Sequence, residues 1–177
     1  MNIARYFSRL LFGLLLLSTQ FAQAIPIDYE LVDLGNNRYQ YNYTINNELA
    51  QPLDAFLIFF DFAQYDNISL ESADAGWDPL FLQTDAASGF DGMLDAMSLS
   101  TPIDPGQSLA GFSVSFDWLG GAVFGGQSFL FYDSVSFDTL LEGTTLLTAV
   151  SQVPAPGTLF LFVLGFLGLA VQRRTKS

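Results

Sequence analysis

Four apolar side chains, Phe112, Val114, Phe116 and Trp118, alternate with Ser113, Ser115 and Asp117. A period of two sends successive side chains to opposite faces, so this stretch can bury one side only as a β-strand. The alternation recurs in Arg38–Asn46, where Tyr39, Tyr41, Tyr43 and Ile45 interleave with Gln40, Asn42, Thr44 and Asn46. Gly35-Asn36-Asn37 reads as a hairpin turn between that run and Tyr29–Leu34. Leu53–Phe62 is apolar on both alternating sets, the pattern of a strand covered on two faces. Residues 63–105 are less regular, with short apolar pieces at Asn67–Leu70 and Leu80–Leu82. Asp104-Pro105-Gly106 is a turn, because proline presets one dihedral and glycine accepts the unusual one. Beyond a loop bracketed by Gly120-Gly121 and Gly125-Gly126, the segments Gln127–Asp133 and Leu140–Val150 read as the last strands. No capped 3.6-residue stripe occurs in this region. The expectation is all-β: an antiparallel β-sandwich of about seven or eight strands, flanked by an N-terminal signal-peptide helix and a C-terminal transmembrane helix.

The flanks carry their own signals. Arg5 and Arg9 precede the apolar run Leu10–Leu17, and Ala22-Gln23-Ala24 offers small residues for cleavage by signal peptidase. Residues 1–24 therefore read as a secretory signal peptide, its apolar run far short of the ~18 residues of a spanning helix. At the other end, Thr158 to Val171 holds no charge, and Arg173, Arg174 and Lys176 follow directly. Counted from Pro154, the segment measures about 27 Å as a helix, the short end of what crosses a ~30 Å hydrocarbon core. Pro156 suits a helix start, where a missing N–H leaves nothing unpaired. The basic cluster holds the C-terminus in the cytoplasm, which places residues 25–152 across the membrane as an exported domain. Residues 153–177 form the third segment, a sorting signal with membrane helix and basic stop.

All 18 acidic residues lie between Asp28 and Glu142, and Arg38 is the one basic residue among them, giving that region a net charge of −17. Such a surface repels phosphate backbones and excludes nucleic acid as a partner. Disorder is excluded by 12 phenylalanines, 6 tyrosines and both tryptophans in the same region. With no cysteine, aromatic packing must do the work of disulfides. With no histidine, Ser-His-Asp catalysis and imidazole metal sites are impossible. Carboxylate chemistry is what remains. Asp85, Asp91 and Asp95 share a glycine-containing stretch and are weak candidates for Ca²⁺, or more remotely for the acid pair of a glycoside hydrolase. They lack the spacing of a helical calcium loop, and solvated loop charge is the plainer reading, so no cofactor is expected beyond that Ca²⁺ candidate. Trp77 offers a flat ring for a sugar, whereas Trp118 and the alternating tyrosines fit sheet packing. No catalytic residue is assigned.

Val153-Pro154-Ala155-Pro156, the apolar segment and Arg173-Arg174 together resemble the PEP-CTERM sorting signal of exported proteins of Gram-negative bacteria. Ala155 stands where that family usually has glutamate. The Tyr-x-Tyr-x-Tyr strand, Gly76-Trp77 and the Pro105–Val114 stretch are similar to the short sandwich domains common in the same family. The resemblance implies processing by an exosortase, after passage through the general secretion machinery and a transient stay in the inner membrane. It also implies a non-enzymatic surface or extracellular protein associated with exopolysaccharide or biofilm matrix. The alternative is a carbohydrate-binding module using exposed aromatics.

Overall fold

In the computed structural model, which describes residues 26–121 and 124–152, the alternating runs become strands of a two-layered sandwich. In chain order they are β1 (Ile27–Gly35), β2 (Arg38–Asn46), β3 (Ala55–Phe60), β4 (Tyr65–Ser72) and β5 (Trp77–Leu82). Then come β6 (Gly92–Ser98), β7 (Ser108–Trp118), β8 (Ser128–Tyr132), β9 (Thr139–Thr144) and β10 (Leu146–Gln152). The first sheet has the order β10-β1-β2-β7-β4 and the second β5-β6-β3-β8-β9. The expected signal-peptide and membrane helices fall in residues 1–24 and 153–177, outside the described residues. Among the described residues no helix is long and apolar enough to cross a membrane.

The tyrosine strand β2 sits at the centre of the first sheet, antiparallel to β1 and β7. Its turn is built from Asn36 and Asn37 at φ 56° and 63°. Positive φ at two successive residues gives the twist that matches a two-residue hairpin, and asparagine tolerates it. Tyr41, Tyr43 and Ile45 face inward and are buried, while Gln40, Asn42 and Thr44 face out. In β3, at the centre of the second sheet, Phe56, Ile58 and Phe60 face the core. Leu57 and Phe59 stay half-buried on the outer face, next in register to Asp95 and Met93 of β6, which is why that run reads apolar on both sides.

Where the sequence looks irregular, the chain makes β4, β5 and β6. β4 and β5 are edge strands, so each has one solvated side and loses the clean pattern. β4 also slips register twice against β7, and Pro79 within β5 is tolerated because an edge needs no second ladder. The run Leu140–Val150, expected as one strand, is two. The chain leaves the second sheet after Thr144, passes Thr145 and joins the first sheet as β10. No reversal intervenes, so β10 lies parallel to β1, whereas the other strand pairs are antiparallel.

Aromatic rings fill the space between the sheets. Phe56 of the second sheet meets Phe112 of the first edge-on at 5.1 Å between centroids, and Phe60 meets Tyr65 at 5.5 Å. Within the first sheet, Tyr41 lies 4.4 Å from Phe116 and 4.5 Å from Tyr29. Such pairs are worth about 0.5–1.5 kcal/mol each beyond the area they bury.

Candidate functional site at the exit of the domain

The chain crosses from β9 of the second sheet to β10 of the first through a clamp centred on Thr145 and Gln127. A Cβ on Gly126 would lie 2.2 Å from the carbonyl oxygen of Thr145, so only glycine lets these two backbones run together. Thr145 N–H donates to the carbonyl of Gln127 at 2.9 Å, and Gln127 N–H donates to Thr145 Oγ1 at 2.9 Å. Thr145 Oγ1 then donates to Gln127 Oε1 at 2.8 Å. The rest of the Gln127 amide reaches into the core. Its Oε1 accepts the Tyr43 hydroxyl at 3.1 Å, and its Nε2 donates to Tyr65 Oη and to the carbonyl of Gly125, both at 2.9 Å. Tyr41 Oη lies 3.2 Å from Tyr65 Oη and extends the chain of bonds. Gln127 and Thr145 are both buried, and a buried amide is tolerable only with its donors and acceptors matched in this way. Burial pushes the phenols of Tyr41, Tyr43 and Tyr65 up from their ordinary value. For Tyr65, hydrogen bonds from Tyr41 and Gln127 oppose that push.

Beyond the clamp, β10 lies on the edge of the first sheet with little in the core. Leu146, Leu147 and Val150 are 48%, 37% and 63% exposed. Apart from the ladder with β1, the strand is held by Thr148 Oγ1 donating to the carbonyl of Tyr29 at 3.1 Å and by Ser151 Oγ donating to the Glu30 carboxylate. Its last residue, Gln152, pairs with Asp33, and Val153 is the next residue in the chain.

On the outer face of the first sheet, a groove of about 420 Å³ crosses β10, β1, β2, β7 and β4. It forms where small residues meet a slip in register: Ala110, Gly111 and Ala149 leave the face low, and β7 bulges at Gly111 opposite Tyr43/Thr44 of β2. Asp28, Glu30, Asn42, Thr44 and Thr148 supply its polar groups. The rings in its lining, Tyr43 and Phe112, are buried, so the groove offers hydrogen bonds without a stacking surface.

The residues singled out in the sequence are dispersed. Trp77, considered as a sugar platform, is a core residue instead, buried with its ring 5.5 Å from Phe56 and 6.1 Å from Phe112. A ring packed on both sheets has no face left for a ligand. Asp85 closes its own loop, accepting Ser88 Oγ–H at 2.7 Å and Ala87 N–H at 2.9 Å, which hold its carboxyl below the ordinary value. Asp91 accepts the N–H of Phe62 at 3.0 Å, and Asp95 accepts the Tyr132 hydroxyl at 2.6 Å on the outer face of the second sheet. Among the described residues no cluster of three or more acidic side chains is placed to hold a metal ion. Ala22, Ala24, Val153, Pro154, Ala155, Pro156, Arg173, Arg174 and Lys176 lie outside the described residues. The clamp and the groove were not legible in advance; the one hint was a lone Gln127 between a glycine pair and an aromatic strand.

Comparison with known proteins bears on the segment that follows β10. No curated protein matches the chain. Among solved structures, it is similar to a type II cohesin module of the ScaA scaffoldin of Acetivibrio cellulolyticus at 12% identity, over 76% of this chain and 92% of that one, with a TM-score of 0.38. A cohesin module from a Clostridium perfringens family 33 glycoside hydrolase matches at 11% identity, over 71% and 95%, with a TM-score of 0.37. A GH20 exo-β-N-acetylglucosaminidase of Vibrio harveyi matches at 12% identity and a TM-score of 0.38, over 73% of this chain but only 18% of the enzyme. A family model described as the PEP-CTERM protein-sorting motif matches residues 152–174, beginning on the last residue of β10. The chain thus carries a PEP-CTERM protein-sorting motif, the C-terminal signal of exported proteins that an exosortase sorts.

Proposed function

We propose that this chain is a non-enzymatic exported protein whose C-terminal segment parks it in the inner membrane until an exosortase acts near Val153–Pro156. The acidic sandwich is then freed to the cell surface or the extracellular polysaccharide layer. The observation that carries this reading is the motif match over residues 152–174, continuous with the last strand of a folded domain. The physical logic is a topological trap. Arg173, Arg174 and Lys176 resist transfer across the bilayer. A short segment with glycines at 165 and 168 stays within reach of a membrane enzyme. The test is the chain with Arg173→Ser and Arg174→Ser, followed by pulse-chase in cells that carry the enzyme. The precursor should be processed at least about tenfold more slowly; processing and release at the unaltered rate would overturn the reading.

A second reading is favoured by the groove on the first sheet. Its amide, hydroxyl and carboxylate groups suit a hydroxyl-rich polysaccharide held by hydrogen bonds rather than by stacking on Trp77, which is buried. Retention on the matching exopolysaccharide should drop when Asn42→Ala and Thr44→Ala are combined. Equal retention would remove this role from the groove.

A further inference from the structure

β10 is fixed firmly at one end and lightly along its length. Thr145 is buried and bonded three times to Gln127, whereas no side chain from Leu146 to Ser151 belongs to the core. The sorting motif begins on the residue where β10 ends, so no spacer separates the sheet from the enzyme's target. Processing enzymes bind extended substrate through main-chain hydrogen bonds. While β10 is docked, one edge of its backbone is committed to β1 and Gln152 is held beside Asp33.

We infer that β10 is a releasable tether. It peels from β1 about the Thr145–Gln127 clamp, and the peeled strand is what the processing enzyme engages ahead of the motif. The inference rests on the sorting function proposed above. Seven residues released from a sheet give the motif about 23 Å of reach at ~3.3 Å per residue. The sandwich stays closed behind them. The phenols of Tyr43 and Tyr65 bond to Gln127 rather than to β10, and Tyr29 keeps its packing on Tyr41. The edge uncovered on β1 carries Asp28, Glu30 and Asp33, and like charges along a bare edge keep other strands from adding to it.

The test uses the full-length chain, whose lack of cysteine makes an engineered crosslink unambiguous. Val32 and Ser151 are register partners, so Val32→Cys with Ser151→Cys ties β10 to β1 in the oxidising compartment outside the inner membrane. The crosslinked precursor should accumulate in the membrane and be processed at least about tenfold more slowly than the unaltered chain. Reductant, or a ten-residue Gly/Ser linker inserted after residue 152, should restore processing. Normal processing of a chain whose crosslink is verified by mass would overturn the inference, as would failure of the linker to rescue it. Both results leave the sorting function intact, since the unaltered chain is processed alongside. An unaltered chain that is never processed would instead remove the sorting function, and this inference with it. Hydrogen exchange on the unmodified protein gives an independent reading. Amides of residues 147–152 should exchange at least about tenfold faster than those of β2 and β7; equal protection would count as refutation.

Discussion

Gln127 is the residue on which the interior polar chemistry depends. Its one side chain satisfies Tyr43, Tyr65, Thr145 and the Gly125 carbonyl at once. Gln127→Ala strands several buried groups at roughly 1–3 kcal/mol each, so the loss should be about 3–5 kcal/mol, measured as a fall in the urea midpoint. Gln127→Leu should not rescue it, because volume is not what is missing. The phenols around it set an alkaline limit. Burial raises Tyr41, Tyr43 and Tyr65 above the value of ~10 that they have in the unfolded chain. The folded state therefore binds the protons more tightly. The stability this gives is complete below about pH 10 and is lost as pH rises through the folded-state values, at up to ~1.4 kcal/mol per phenol per pH unit. Phenolate absorbance from these residues should appear together with loss of the far-ultraviolet β signal. Phenolate forming at Tyr41, Tyr43 or Tyr65 in a still-folded protein would contradict the network.

Elements differ in how plainly the sequence announces them, and the difference follows from burial. β2 and β7 were legible because apolar and polar side chains alternate in both, and period two survives intact in Tyr41-x-Tyr43 and Phe112-x-Val114-x-Phe116, even though Ser113 and Ser115 are themselves buried. β4 and β5 were not, because an edge strand with slips in register or a proline loses the clean alternation. The break at Thr145 was invisible, since it depends on a contact with Gln127 eighteen residues away in sequence. The same holds for the site. The tail motif is local and could be read, whereas the clamp and the groove are products of pairing across the sheets. The crossing from β9 to β10 makes its own prediction. Gly126→Ala would drive a methyl group into the Thr145 carbonyl, and such overpacking should cost about 1–3 kcal/mol and loosen β10. Limited proteolysis after residue 145 should accelerate in that variant; an unchanged cleavage rate and melting temperature would mean the two backbones can move apart freely.

Residues 25–152 carry a net charge of −17, against one ion pair among the described residues, Arg38 with Asp117 at 3.1 Å. Repulsion spread over a surface is screened over the Debye length, which falls from ~30 Å at 0.01 M salt to ~3 Å at 1 M. The melting temperature should therefore rise by several degrees over that range, and a fall would show that attractive pairs outweigh the net charge. The parallel course of β1 and β10 has a consequence for posture. Because both strands run the same way, the chain comes into the sandwich at one pole and departs at the other, about 23 Å apart for a seven-residue strand. On the function proposed above, a sandwich moored through the segment after β10 would hold the start of β1 at the pole remote from the mooring.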